Sequence, residues 1–224
     1  AHTYTITDDD PPPSVAFDAT NSSGLESVTS VNIPVSLSTI SGQTVMVDYT
    51  VTGGTATGGG IDYTLAIGTL TFTAGTTTQN IALTVADDGL DETNETIQIT
   101  LSNPLSATLG TNADHTYTIL DEDATPTVAF SATTSSAAES VTSVTIPVSL
   151  SAPSGLSVTV DYNVTGGTAT SGGVDYTLAA GTLTFAAGQT SRNISVTVVN
   201  DGLDEADETI QITLSNPSNA ILGA

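Results

Sequence analysis

The sequence predicts an all-β chain that forms two tandem seven-stranded immunoglobulin-like antiparallel sandwiches. Short runs of alternating apolar and polar residues recur along its 224 residues, and turns rich in Gly, Pro and Asn separate them. Thr, Ser, Gly and Val dominate the composition, which favours strands and turns over helices. The order of runs then occurs a second time, so two domains of the same fold are expected.

The repetition is the most specific of these observations. The segment 2–10 (HTYTITDDD) returns as 115–123 (HTYTILDED), and 95–104 (ETIQITLSNP) returns unchanged as 208–217. A period of this length is a whole domain rather than one coil of a solenoid. We therefore predict a closing strand and linker of a preceding repeat at 1–12, repeat 1 at 13–123, and repeat 2, incomplete because it lacks its last strand, at 124–224.

Each strand follows from its own alternation, which is clearest in the second repeat. In order, the predicted strands are A at 127–131, B at 144–150, C at 157–164, D at 181–185, E at 191–199 and F at 209–214, with G supplied by the first repeat at 116–120. Strand C, for example, places Val158, Val160 and Tyr162 on one face. Pro34 and Pro147 fall inside strand B and remove a donor from the ladder, which predicts an edge or a bulge there.

Charge and composition exclude several function classes. The chain has 24 acidic residues and a single basic one, for a net charge of −23, so nucleic acids and anionic membranes are poor partners. Without Cys it has no disulfide, thiolate metal site or Cys nucleophile. Both His residues occupy one repeated position and Trp is absent, which argues against a Ser-His-Asp site and a sugar cleft. We expect no enzyme.

The acidic residues gather at one end of each predicted sandwich. Antiparallel neighbours alternate in direction, so the A–B, C–D and E–F loops and the residues after G share that end. Only four of the 24 acids lie elsewhere: Asp18, Asp48, Asp114 and Asp161. Clustered like charges destabilise a fold unless they are neutralised, and Ca²⁺ accepts six to eight oxygen ligands in flexible geometry. A solvated acidic tip without any ion is the alternative.

A combination of segments also carries a family resemblance. It comprises the A–B glutamates Glu26 and Glu139 and the segments 47–72, 85–104 and 116–123. On these segments both repeats resemble Calx-beta domains, modules first defined in sodium/calcium exchangers and common in bacterial surface proteins. The resemblance implies a seven-stranded sandwich that binds Ca²⁺ at one tip.

The resemblance also implies which acids bind the ion. In repeat 1 they are Glu26, Asp62, Asp87, Asp88, Asp91, Asp121 and Asp123, and in repeat 2 they are Glu139, Asp175, Asp201 and Asp204. Glu95 and Glu208, at the start of strand F, either bind the ion or hold its ligands. Asn200 stands where repeat 1 has Asp87, and the acid that exchanger domains add after the Asp-Tyr pair is missing. We therefore expect affinities on the order of 10⁻⁵–10⁻³ M, typical of extracellular modules.

These expectations lead to a mechanical function. The segment 124–126 is too short for free tumbling, so calcium at the tips would turn a jointed chain of adjacent repeats into a rod, as in the stalk of a secreted or cell-surface adhesin. A calcium-sensing regulatory module of a membrane or signalling protein is the alternative. Residues 2–7 are a spare G strand, which predicts head-to-tail self-association by β-augmentation. We expect an extracellular or cell-surface location and no membrane insertion.

Overall fold

The computed structural model describes residues 1–223 as strands, turns and bends, with no helix among them. By their contacts these residues form two units. The first comprises Ala1–Asp88 and Thr93–Glu122, and the second comprises Gly89–Glu92 and the residues from Asp123 onward. The predicted all-β class is confirmed. A helix long and apolar enough to cross a membrane is absent from the described residues.

The first unit contains ten strands in two sheets. They are β1 (Ser14–Phe17), β2 (Asn21–Leu25), β3 (Ser30–Leu37), β4 (Val45–Gly54), β5 (Tyr63–Thr64), β6 (Gly68–Phe72), β7 (Thr78–Val85), β8 (Glu95–Leu105), β9 (Thr108–Leu109) and β10 (Asp114–Leu120). One sheet has the order β5-β7-β3-β1-β9 and the other the order β2-β10-β8-β4-β6. Neighbouring strands are antiparallel, except that β1–β9 and β2–β10 are parallel.

The alternation in sequence decides which side chains form the core of this unit. Along β7, Ile81, Leu83 and Val85 are buried while the residues between them are exposed. The facing sheet buries Tyr117 and Ile119 of β10 in the same cluster. Complete burial of one such aliphatic side chain contributes about 1.5–3 kcal/mol, so the paired inner faces of the two sheets hold the sandwich together.

The described residues of the second unit form eight strands. They are β11 (Thr127–Phe130), β12 (Ser143–Leu150), β13 (Val158–Gly167), β14 (Tyr176–Thr177), β15 (Gly181–Phe185), β16 (Ser191–Val198), β17 (Ile210–Ser218) and β18 (Ile221–Leu222). One sheet has the order β14-β16-β12-β11-β18, and the other, as far as the structure describes it, has the order β15-β13-β17. Its order places β17 at an edge, whereas the equivalent β8 lies between β10 and β4.

The first unit differs from the predicted seven strands by three short ones, β2, β5 and β9. The A–B segment does not stay a loop, because β2 crosses to the other sheet and pairs with β10 over residues 21–25 and 116–120. The short strands β5 and β9 extend the edges of the first sheet. Their two-residue length left no alternation that could have predicted them.

The predicted strand B is β3 in the first unit, and it tolerates Pro34 because the neighbouring strand β1 ends just before that position. β3 lies inside its sheet, between β7 and β1, and its register with β7 runs without a shift through Pro34. The ladder with β1 ends at the pair Phe17–Val35. The Pro34 carbonyl still accepts a hydrogen bond from the Asp18 amide at 3.2 Å, on the side that β1 has just left. The missing donor is therefore not needed, and no bulge forms there.

Candidate metal centres

In the first unit the A–B glutamate is positioned by the strand that closes the sandwich. The Glu26 amide donates to the Leu120 carbonyl at 3.1 Å and to Glu122 Oε2 at 3.1 Å. The Ser27 amide donates to Glu122 Oε1 at 3.1 Å. This anchorage holds the Glu26 side chain at 6% exposure. Hydrogen bonds from Ser27 and from the Glu26 amide stabilise the Glu122 carboxylate and lower its pKa.

Two pairs of carboxylates meet in the first unit. Glu26 and Asp88 each offer an oxygen within 4.8 Å of the other, and so do Asp62 and Glu95. These residues come from the A–B, C–D and E–F segments and from the start of β8. Segments far apart in sequence therefore bring these predicted ligands together.

The C–D loop is closed by its own aspartate. The Thr57 amide donates to Asp62 Oδ2, and the Asp62 amide donates to the Thr57 carbonyl at 3.0 Å. The Asp62 carbonyl then accepts a hydrogen bond from the Ala86 amide at 2.8 Å, directly after β7. This contact fixes the start of the E–F segment, which carries Asp88, beside the C–D loop.

Within the described part of the second unit, one group of three carboxylates forms. Glu139, Asp201 and Glu205 each offer an oxygen within 4.8 Å of the others, and all three side chains are exposed. Repulsion, first from Asp201 and to a smaller extent from Asp175 and Glu139, raises the pKa of Glu205. Like charges held this close without compensation are a place where a divalent cation stabilises the structure.

A second acidic contact in this unit links the predicted residues Asp175 and Glu208. Desolvation, followed by a hydrogen bond and repulsion from Asp175, raises the pKa of Glu208. The Thr170 amide donates to Asp175 Oδ2, as the Thr57 amide does to Asp62 in the first unit. The C–D loop therefore has the same closure in both repeats.

Asp91 has different surroundings from the other predicted ligands. It belongs by its contacts to the second unit and is 8% exposed. Thr125 Oγ1 donates to Asp91 Oδ1 at 3.1 Å, and Ser154 Oγ donates to the Asp91 carbonyl at 3.0 Å. The Gly155 amide donates to the same carbonyl at 3.2 Å. Among residues 1–223, Asp91 lies in none of the carboxylate groups described above.

Asp87, Asp121 and Asp204 lie in none of those groups within the described chain. Asp87 and Asp204 are exposed in their E–F segments, and Asp123 is half-buried at the start of the second unit's main segment. The amide of the half-buried Asp121 donates to Asn94 Oδ1 at 3.0 Å. These four residues stay predictions.

Sequence reasoning assigned no role to Glu205 or to Glu122. Glu205 joins the group of the second unit, and Glu122 holds the backbone of Glu26. Both belong to the acidic end of their repeat. The signal available was proximity in sequence, since Glu205 directly follows Asp204 and Glu122 directly follows Asp121.

The donors in these groups fit a hard divalent cation. All of them are carboxylate oxygens, which Ca²⁺ prefers, and Zn²⁺ would favour His or Cys ligands. The chain contains no Cys, and His115 is buried against Phe17, with ring centroids 5.2 Å apart, rather than in a carboxylate group. The fold and the sites together define a class: tandem β-sandwich modules with carboxylate groups built from end loops.

Comparison with known proteins gives the family. The model of the Calx-beta domain matches twice, at residues 8–123 and 121–222. The chain therefore belongs to the Calx-beta domain family. No curated protein gives a significant match.

Several solved structures are similar to this chain. CBD12 from CALX1.2 is 25% identical, with a TM-score of 0.47, and the match covers 91% of this chain and 80% of that one. The calcium binding domain CBD12 of CALX1.1 is 24% identical, with a TM-score of 0.48, and covers 94% and 82%. The apo-form Calx CBD1 domain is 26% identical, with a TM-score of 0.47, and covers 50% and 100%.

Proposed function

We propose that this chain is a calcium-binding structural repeat that stiffens the extended stalk of a secreted or cell-surface, adhesin-like protein. The observation that carries the proposal is the meeting of carboxylates from separate segments, as in Glu139, Asp201 and Glu205. Each unit needs a counter-charge there, because the chain carries 24 acidic residues and one basic residue. Calcium supplies that charge and ties the loops to one another.

The chemistry of the donors supports calcium over other ions. Ca²⁺ accepts carboxylates in flexible geometry, whereas Mg²⁺ demands a near-ideal octahedron and retains several waters. One solved relative bears the name of a calcium binding domain. Exposed ligands such as Glu139 and Asp201 favour weak sites, with dissociation constants on the order of 10⁻⁵–10⁻³ M, which suit a calcium-rich exterior.

A calcium-sensing regulatory module is the second candidate function. The contrast between the buried Glu26 and the exposed Glu139 favours it, because two sites of unequal affinity respond over a wide range of calcium concentration. A sensor of cytosolic calcium requires dissociation constants of roughly 10⁻⁷–10⁻⁵ M. The measured affinity therefore separates the two candidates.

The location and the partners follow from the structural function. We place the protein outside the cell or on its surface, in a non-enzymatic role in adhesion. Its partners are calcium ions, adjacent repeats of the same chain and a second copy of the chain. No nucleic acid is expected, because clustered Lys and Arg are missing.

Calorimetric titration of the whole chain with Ca²⁺ and with Mg²⁺ tests this function. We expect Ca²⁺ to bind more tightly than Mg²⁺ and to raise the melting temperature, and excess chelator to reverse both effects. Asp88→Asn and Asp201→Asn should each weaken calcium binding. Asp18→Asn removes the same charge outside the carboxylate groups and serves as the matched control. Absence of calcium uptake, or equal loss in the control, contradicts the proposal.

A further inference from the structure

Each unit has an edge strand of the same sequence. Strands β6 and β15 both read GTLTF, and among the described residues β6 pairs only with β4 and β15 only with β13. The strand is uncharged, lacks proline and alternates exposed Thr with buried Leu and Phe, as do segments that readily add to other strands. An uncovered edge offers its N–H and C=O groups to another chain, so both edges are places where two copies could pair.

A side chain from the facing sheet occupies one carbonyl of each edge strand. In the first unit Gln79 Nε2 donates to the Thr71 carbonyl at 3.1 Å, and in the second Arg192 Nε donates to the Thr184 carbonyl at 2.6 Å. Gln79 lies on β7 and Arg192 on β16, at equivalent positions of the two repeats. Within each unit the contact therefore reaches from one sheet to the edge of the other.

Both donors stand at inward-facing positions of their strands. Along β7 the half-buried Gln79 precedes the buried Ile81 by two residues, and along β16 the half-buried Arg192 precedes the buried Ile194 in the same way. A polar side chain thus begins a series that is otherwise aliphatic and points into the sandwich. Inward-pointing polar and charged side chains are one of the means by which sheet edges are kept from pairing.

The two repeats keep this contact but not the residue that makes it. One uses an amide and the other a guanidinium, and Arg192 is the single basic residue of a chain with 24 acidic residues. This basic side chain donates to a backbone carbonyl of the edge strand. What the repeats share is an N–H donor within reach of that carbonyl, so the hydrogen bond is the common feature and the charge is not.

The capped carbonyl belongs to the free side of the strand. In an antiparallel strand the N–H and C=O of one residue point to the same side, and successive residues alternate. The Phe185 carbonyl accepts a hydrogen bond from Ser157 Oγ at 3.3 Å, directly before β13, so Phe185 faces that strand. Thr182 and Thr184 therefore present their main-chain groups outward, and an added strand would use the carbonyl that Arg192 occupies.

We propose that Gln79 and Arg192 are edge-capping residues that keep β6 and β15 from pairing antiparallel with the same strand of a second copy of this chain. An incoming strand must displace the capping side chain before it can complete its ladder. Removing one cap uncovers an interface that is the same on both copies and closes as a dimer, whereas removing both caps allows longer assemblies. This inference does not rest on the proposed calcium function, because neither contact involves a carboxylate.

Sedimentation velocity of the whole chain tests the capping. The series is run in chelator at about 0.15 M NaCl, where the screening length of about 8 Å weakens repulsion between acidic copies. Arg192→Ala should tighten self-association at least about tenfold relative to the unchanged chain, the effect of one hydrogen bond to a charged group, and should add a dimer contact. Arg192→Gln loses the same charge but keeps a donor, as in repeat 1, and should leave association unchanged.

Two further measurements locate the contact. Thr184→Pro, added to Arg192→Ala, removes the outward N–H of β15 and should return association to that of the unchanged chain. Hydrogen exchange of Arg192→Ala should show the amides of β15 more protected as the concentration rises. Combining Gln79→Ala with Arg192→Ala should give assemblies larger than those of Arg192→Ala alone, because each copy then offers two uncapped edges.

The outcomes separate capping from simpler roles. A side chain that only bridges the two sheets would lower the melting temperature in Arg192→Ala and leave association unchanged, and that result would overturn the proposal. Equal tightening in Arg192→Gln would assign the effect to charge, and association that survives Thr184→Pro would place the contact elsewhere; each would refute capping. Failure of the unchanged chain to take up calcium contradicts the proposed function alone, since this series contains chelator throughout.

Discussion

Only two residues separate Asp88 from Asp91, yet the two side chains meet different surroundings. Asp88 is exposed and shares a carboxylate pair with Glu26, whereas Asp91 is buried among hydrogen bonds from Thr125 and Ser154. Both are aspartates in a loop rich in acids, so their residue type predicted the same role. At the scale of single residues, burial and partners decide which carboxylate is available to an ion.

Ser154→Ala tests the buried contact of Asp91. The Ser154 hydroxyl is buried, donates to the Asp91 carbonyl and accepts from the Leu156 amide at 3.1 Å. Removing it should lower the free energy of unfolding of the second unit by about 1–3 kcal/mol, because buried polar groups lose their partner. Ser41→Ala changes the equivalent residue of the first repeat, which is less buried, and should have a smaller effect in denaturant titrations. Equal effects would contradict this role.

The pH dependence of the second unit should follow the raised pKa values of Glu205 and Glu208. Repulsion by Asp201 raises the first, and desolvation raises the second. The folded chain then binds these protons more tightly than the unfolded chain, in which the pKa of a glutamate is near 4.5. Without calcium, stability should therefore increase as the pH falls through the raised pKa values toward 4.5, and decrease as it rises.

Calcium binding should show the opposite trend, since protons compete for the same oxygens. Titrations between neutral pH and 4.5 should give a steadily weaker calcium affinity as the pH falls. Glu205→Gln should flatten the stability profile of the calcium-free chain. A profile that rises with pH in this window would contradict the assignment.

At the scale of elements, the second half of strand β4 combines an irregular register with two glycines. Its ladder with β8 shifts between Val51 and Gly53, and Gly54 has a φ of 120°. A β-carbon at Gly54 would collide with the Thr96 carbonyl oxygen. Gly167 in the second repeat has the same conformation and the same collision, with Thr209. The glycines of the repeated segment VTGGTAT therefore allow the strand to pass close to the backbone of its neighbour as the chain enters the C–D loop.

Gly54→Ala should consequently destabilise the first unit. The positive φ costs about 1–3 kcal/mol for a residue with a β-carbon, and the collision adds to that cost. Thermal or denaturant unfolding measures the loss. Gly42→Ala is the matched control, because Gly42 has no neighbour within 4 Å of the added carbon. Similar stability of the two variants would show that the strand end adapts freely.

At the scale of the whole molecule, charge is the dominant constraint. The net charge is −23, and carboxylates that lie far apart in sequence meet in groups without basic partners. The single basic side chain, Arg192, donates instead to the Thr184 carbonyl at 2.6 Å. Self-repulsion therefore opposes folding until ions compensate it.

Thermal melting in increasing NaCl should show this repulsion directly. Without calcium, the melting temperature should rise with salt, because the screening length falls from about 30 Å at 0.01 M to about 10 Å at 0.1 M. Calcium at millimolar concentration should raise it further than NaCl of equal ionic strength, since it binds specific carboxylates. An equal rise in both salts would mean that calcium acts by general ionic screening and does not bind specific carboxylates.

Much of the fold was predictable because alternation reports burial directly. The strands of the second repeat follow the predicted segments closely, as at Gly181–Phe185 and Thr127–Phe130. Strand β2 was not predictable, since its residues (NSSGL) are mostly exposed and it forms only because β10 lies beside it. The meeting of Glu26 with Asp88 was expected from strand direction. The hydrogen bond from the Glu26 amide to Glu122 was not, because it depends on the three-dimensional arrangement of the two segments.

The sequence by itself determined the tandem β-sandwiches, the acidic character of the chain and the family. Each of these is carried by local alternation, by composition or by repeated segments. Only the tertiary structure decided which carboxylates lie together and which one is buried against Ser154. The physical reason is that these features depend on contacts between segments distant in the chain, and two carboxylates of the same type differ only in what surrounds them.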